Sequence, residues 1–283
     1  IIIAIEVLDT KIQTVEDIEG LSTIPILGVV GKKTTINNLS VFLKPKSTVA
    51  ESFRALRSNI HFLFDRKKIN ESKTVMITSS ISGEGKTFVS INMATVFALS
   101  GKKTILVGLD LRKPKIFGDF DIDNEEGVVN YLIGQKTIEE IIIPSKIENL
   151  DIITSGHVPP NPSELIMNSA NEELMEYLKN NYEYIILDTP PVGLVADAFE
   201  LVKYADVTLY VVRQGFTQKG MMKMINDKYA KKEVSNISII LNNFKIKSSY
   251  GYGHGYGYGY GQGYHEVEKI PLYKKIFRFI IGK

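Results

Sequence analysis

From residue 74 onward, short apolar runs alternate with longer stretches whose apolar positions recur at helical spacing. The runs at 74–78, 103–109, 150–154, 183–188, 207–212 and 237–242 predict strands. The stretches at 87–100, 126–133, 137–142, 163–180, 195–204 and 218–232 predict helices. Tyr184-Ile-Ile-Leu and Val207-Thr-Leu-Tyr-Val-Val are continuously apolar or β-branched, the pattern of parallel strands covered on both faces. The expected fold class is α/β, a mostly parallel sheet with helices on both sides. Residues 1–47 are mixed and read as a linker, with a short helix over Thr14 to Leu21 and a short strand near Ile26 to Val30. A main domain is expected over 48–247. Thr48-Val-Ala-Glu51 reads as a capping box, followed by Phe53, Leu56, Ile60 and Phe64 at helical spacing.

The pattern breaks at Lys247. Residues 250–264 alternate Gly with Tyr, His or Gln and offer no hydrophobic period for a core, so a disordered tail is expected over 248–268. Residues 269–283 differ again. Leu272, Ile276, Phe279 and Ile280 share one helical face, with Lys274, Lys275 and Arg278 mostly opposite. Such a basic amphipathic segment suits an anionic membrane surface, or equally a helix docking on the core domain.

Composition narrows the choices. The 283 residues are 44% hydrophobic and 23% charged, ordinary for a soluble globular protein. A net charge of +2 gives no strong pull toward nucleic acid. With no cysteine, disulfides and thiolate zinc sites are excluded, and a reducing compartment is expected. The four histidines are scattered, which argues against a histidine metal centre. No apolar run approaches the ~20 residues of a membrane-spanning helix. The Ile-Ile-Ile-Ala-Ile start, without Met, reads as a cut where something more hydrophobic ended; a processed soluble protein is the alternative.

The chemistry centres on 74–87, where an apolar run leads through Ser82-Gly83-Glu84-Gly85-Lys86-Thr87 into the helix beginning with Phe88. Strand, loop and helix in this order are the setting of a Walker A motif. Backbone N–H groups of residues 82–87 and the helix N-terminus would face a polyphosphate. Lys86 would reach its β- and γ-phosphates, and the Thr87 hydroxyl would hold Mg²⁺. Ser80 stands where the leading Gly of the motif is usual. Two more strand ends carry acids: Tyr184-Ile-Ile-Leu-Asp188-Thr-Pro-Pro fits a Walker B, and Asp110-Leu-Arg112 follows the run at 103–109. An open α/β sheet binds its ligand at such ends. Asn242 closes another strand, as an adenine contact or as a turn residue.

The set Gly83-Glu-Gly-Lys-Thr87, Asp110-Leu-Arg112-Lys-Pro114 and Asp188-Thr-Pro-Pro191 resembles the bacterial protein-tyrosine kinases, or BY-kinases. These are the cytoplasmic ATP-binding domains of polysaccharide co-polymerases. Gly156-His-Val-Pro-Pro-Asn-Pro-Ser-Glu-Leu165, Glu51-Ser-Phe-Arg54-Ala-Leu-Arg57 and the Tyr-rich tail extend the likeness over about residues 6–264. The resemblance implies a P-loop NTPase-like fold and a tyrosine autokinase using ATP and Mg²⁺. It implies that Lys86, Asp110, Arg112 and Asp188 are catalytic, and that Thr87, Asp110 and Asp188 manage the metal. Glu51, Arg54 and Arg57 would join subunits into a ring, although the same residues also suit a capped helix with a solvated face. Tyr250, Tyr252, Tyr256, Tyr258, Tyr260 and Tyr264 would be phosphorylated in a neighbour's site. Residues 1–8 would emerge from a transmembrane co-polymerase half at the cytoplasmic face of the bacterial inner membrane.

One position departs from that pattern. The family's second motif usually reads Asp-x-Asp-x-Arg, and here Gly108 takes the place of its first Asp. That leaves three readings: a slower kinase, Asp110 in both roles, or a nucleotide-gated assembly module with little kinase activity. Partitioning-type ATPases share the expected fold but carry a Lys early in the loop, where this chain has Ile81.

Overall fold

The structure, a computed structural model, describes residues 10–65, 71–193 and 196–245. Among them eight strands form one sheet: β1 (Ile26–Gly31), β2 (Lys73–Ser79), β3 (Thr104–Gly108), β4 (Ile143–Pro144), β5 (Leu150–Ile153), β6 (Tyr184–Asp188), β7 (Val207–Arg213) and β8 (Ile237–Phe244). Their order is β1-β8-β7-β2-β6-β3-β5-β4, parallel throughout except for β4, which pairs antiparallel to β5. The order places β2 between β7 and β6, so the chain turns out of β2 where its neighbours diverge in sequence.

Alternation along the strands builds two apolar layers. Val75 and Ile77 of β2, Ile186 of β6 and Leu209 of β7 face one side, against the helices Thr48–Ile60 and Lys86–Ala98. Met76, Ile185 and Leu187 face the other, against Leu174 and Leu178 of the helix Ala170–Asn181. The helix Lys86–Ala98 is buried nearly all round. Its polar positions therefore have partners: Thr95 Oγ1 donates to Ile91 O one turn back, Ser90 Oγ shares its proton between Lys86 O and Asp188 Oδ1, and Asn92 Nδ2 donates to Phe88 O and Asn38 O.

Several expectations shift. The described part of the expected linker, residues 10–47, belongs to the same body: β1 pairs with β8, and Ile12, Ile18, Leu27 and Val30 are buried in its core. The helix after it is capped by Ser47, whose hydroxyl accepts from Ala50 N–H, rather than by a box at Thr48. Glu51 pairs with Arg54 instead of reaching back. The helix expected at 163–180 divides into Pro162–Ile166 and Ala170–Asn181. Asn171 Nδ2 donates to Leu165 O and Ile166 O, while Asn168 Oδ1 accepts from Ala170 N–H, so two Asn side chains satisfy the break. Residues 196–204 and 219–221 coil as 3₁₀ turns, the second leading into the helix Met222–Ala230. The two-residue β4, which periodicity cannot register, was not expected; its Pro144 sits on the sheet edge, where a missing N–H is tolerated. The Tyr-Gly tail, the 269–283 segment and residues 1–8 lie outside the described residues.

Candidate active site

The expected nucleotide-site elements that the structure describes converge on the carboxyl edge of the sheet. Residues 80–85 loop from β2 into the helix starting at Lys86. Gly83 (φ 96°) and Gly85 (φ 102°) take left-handed backbone on either side of Glu84. A Cβ at Gly85 would lie 2.1 Å from Asn242 Nδ2, so a side chain there would have to displace Asn242 from the loop. Left-handed turns of this kind gather successive N–H groups into an anion-binding concavity, and the helix N-terminus adds to it.

Lys86 is buried at the helix start, and burial pulls its ammonium below the usual lysine range, against the attraction of Asp188, Asp110 and Glu84. Asp188 ends β6 with both carboxylate oxygens engaged. Oδ2 accepts from Thr87 Oγ1 at 2.9 Å and Oδ1 from Ser90 Oγ at 2.9 Å. Burial nonetheless pushes its acid up to about 6, with Lys86, Thr87 and Ser90 pulling the other way. An ionised carboxylate raised by burial is poised to gain from a cation beside it.

The other expected residues divide. Asp110 is half-buried just past β3, its Oδ1 accepting from Lys113 N–H at 3.1 Å. Arg112 is exposed and donates to Ser163 Oγ at 2.8 Å. Gly108 lies in register beside Asp188, and a Cβ there would meet Ser155 Oγ at 2.9 Å. Ser82 is half-buried in the loop. The side chain of Glu84 is fully buried under the loop, and the Phe88 ring packs edge-on to Phe53 in the core. Both can present only backbone to a nucleotide. Asn242 lies within β8 rather than in a turn, and its side chain is engaged: Nδ2 donates to Glu84 O at 2.9 Å and Oδ1 accepts from Asn243 N–H. Arg54 donates to Pro45 O and Arg57 to Val96 O, so both have partners within the chain. The tail tyrosines lie outside the described residues.

Sequence reasoning missed three participants. Ser90 follows Thr87 by three positions, a helical spacing that would have placed both on one face. Arg213, donating to Gly83 O at 2.7 Å, and Thr217, donating to Glu84 Oε1, come from a distant segment with no local signal.

Comparison with known proteins gives a consistent picture. A family described as an AAA domain matches residues 72–245. The putative tyrosine-protein kinase CapB of Staphylococcus aureus is 37% identical over 77% of this chain and 96% of its own length. Tyrosine-protein kinase YwqD of Bacillus subtilis is 37% identical over 76% of this chain and 90% of its own. Among solved structures, the chimerical protein CapA2B2 superposes with a TM-score of 0.74 at 36% identity, covering 82% of this chain and 100% of the other.

Proposed function

The chain belongs to the bacterial tyrosine-protein kinases, and from that premise we propose that it transfers the γ-phosphoryl group of ATP to tyrosines of its own tail, between subunits. The acceptors are Tyr250, Tyr252, Tyr256, Tyr258, Tyr260 and Tyr264. The modification regulates synthesis or export of a surface polysaccharide at the cytoplasmic face of the membrane. The observation that carries this reading is the Lys86–Thr87–Asp188 cluster at the mouth of the phosphate loop.

Loop amides and Lys86 bind the β- and γ-phosphates. Thr87 and Asp188 present two oxygens 2.9 Å apart, a donor set suited to Mg²⁺, which is held by one or two carboxylates together with substrate phosphates. When bound, Mg²⁺ supplies charge neutralisation on the phosphates. Ser90 holds the other Asp188 oxygen, and the exposed Arg112 and half-buried Asp110 stand nearer to solvent. The tyrosine oxygen forms a bond to the γ-phosphorus as the bond to the β–γ bridging oxygen breaks and ADP leaves. Asp110 receives the phenolic proton, taking the role for which position 108 has no carboxylate. Glu51, Arg54 and Arg57 lie on one partly exposed helix and form the subunit contact that brings a neighbour's tail to this edge.

The second reading, a nucleotide-gated assembly module, is favoured by Gly108 alone. Incubating the full chain with Mg-ATP and mapping phosphotyrosine by mass spectrometry separates the two. Modified tail tyrosines in wild type and none in Lys86→Met support the kinase; ATP binding without modification supports the module.

A further inference from the structure

A carboxylate with no exposure to solvent is costly unless several donors meet it. Glu84 is such a group, and it sits in the middle of the phosphate loop. Ile81 N–H donates to its Oε2 at 2.8 Å, and Ser80 Oγ donates to its Oε1 at 2.7 Å. The third donor, Thr217 Oγ1, is equally buried and comes from the turn after β7. That hydroxyl is itself oriented, since it accepts from Arg213 N–H at 2.9 Å. Beneath the cluster lies Tyr210, fully buried in β7; burial holds its phenol above the usual range, with Ser80 pulling the other way and the charge of Glu84 adding to the rise.

The same turn grips the outside of the loop. Arg213 Nη1 donates to Gly83 O at 2.7 Å, and its guanidinium stacks 5.1 Å from the centre of the Phe216 ring. That ring leaves so little room that a Cβ on Gly83 would approach it to 3.1 Å. The loop is thus held from below through a side chain and from above through a carbonyl. The grips act on Gly83, the first of the two left-handed glycines that aim the amides, and on Glu84 between them.

We propose that Thr217 is a positioning residue for the nucleotide site, acting through the buried Glu84 carboxylate to hold the phosphate loop in its binding shape. Ser80 belongs to the same pin, which accounts for a hydroxyl where the motif usually has glycine. The polyphosphate itself touches neither Thr217 nor the Glu84 side chain; it meets the amides that they aim. Losing one donor leaves a buried charge short of a partner, and Glu84 then draws the loop out of shape. The inference rests on the kinase reading only for the identity of the nucleotide.

The test measures the Kd of a fluorescent ADP analogue with Mg²⁺ for the full chain, well below the Tm of every variant. Because binding is read without phosphoryl transfer, the result stands apart from whether the chain modifies tyrosine. Thr217→Val keeps the shape and removes the hydroxyl, and is expected to weaken binding about tenfold or more. Thr217→Ser restores the hydroxyl and is expected to bind within about threefold of wild type. Ser80→Ala, removing the other hydroxyl on the same carboxylate oxygen, weakens binding in the same direction and keeps the test open if Thr217→Val does not fold. A Thr217→Val protein that loses Tm but keeps its affinity within threefold would overturn the proposal, as would equal losses in Thr217→Val and Thr217→Ser.

Discussion

Thr87 Oγ1 donates to Asp188 Oδ2 across 2.9 Å, joining the first turn of the helix after the phosphate loop to the end of the neighbouring strand β6. The bond links a residue that would face the nucleotide's metal to a carboxylate with no solvent around it. Much of the site's behaviour follows from that burial.

The first consequence is a pH-dependent stability. The folded-state value of Asp188, about 6, lies above the 3.8 of an unperturbed Asp, so ionisation is harder in the folded protein. The contribution favourable to folding is full below the unperturbed value and is lost as pH rises through about 6. Asp188→Asn cannot ionise. Without nucleotide its stability should rise relative to wild type between pH 4 and 7, by an amount on the order of 1–3 kcal/mol. Urea unfolding across that range checks it; a flat difference would mean that Asp188 is not held neutral by burial.

Activity should move the opposite way. The carboxylate is needed ionised, so the rate should fall as pH drops through about 6. Raising Mg²⁺ and ATP together should shift that acid limb lower, because a neighbouring cation favours the charged form. Initial rates over pH at two magnesium concentrations provide the comparison.

Ser90→Ala removes the donor to Asp188 Oδ1 and leaves the other bond in place. A hydrogen bond to a charged group is typically worth about 1.5–3 kcal/mol, so a loss of roughly tenfold or more in kcat/KM is expected, with the acid limb moved to higher pH. A variant with unchanged profile would show that Ser90 only supports the helix.

Much of this was legible in the sequence. The strands β2, β6, β7 and β8 announce themselves because buried parallel strands are continuously apolar, and Lys86, Thr87 and Asp188 because a strand end fixes where each must go. What stayed hidden depends on contacts far along the chain. Nothing near Glu84 says that its side chain turns inward, since the deciding partner, Thr217, is 133 positions away. Nothing near Asn242 says that its side chain reaches the loop at Glu84. The break at 167–169 was hidden because Asn168 and Asn171 replace the missing helical bonds with side chains, leaving the apolar period intact.

Gly108 gives a prediction about what the missing carboxylate costs. A side chain at this position meets Ser155 Oγ, which now donates to Gly108 O at 2.9 Å. Gly108→Asp alone should lower Tm, and adding Ser155→Ala should recover part of the loss by clearing the space. If a base at 108 limits the rate, the double variant should phosphorylate faster, within the ~10²–10⁴-fold that general-base help supplies. Unchanged rates in a stable double variant would assign the proton to Asp110.

Glu51 pairs with Arg54 at a half-exposed position, and such pairs contribute about 0–1 kcal/mol to a monomer. Glu51→Ala should therefore leave Tm nearly unchanged while reducing higher assemblies in sedimentation velocity with Mg-ATP. Assembly equal to wild type would remove this helix from the subunit contact.

Transfer between subunits is tested most directly by mixing two disabled chains. One carries Lys86→Met and an intact tail; the other has an intact phosphate loop and ends after Ser249. Neither alone can modify a tail in this account. Mixed with Mg-ATP, they should produce phosphotyrosine on the tail of the Lys86→Met chain. If the mixture stays unmodified under conditions where wild type modifies itself, transfer between subunits is contradicted.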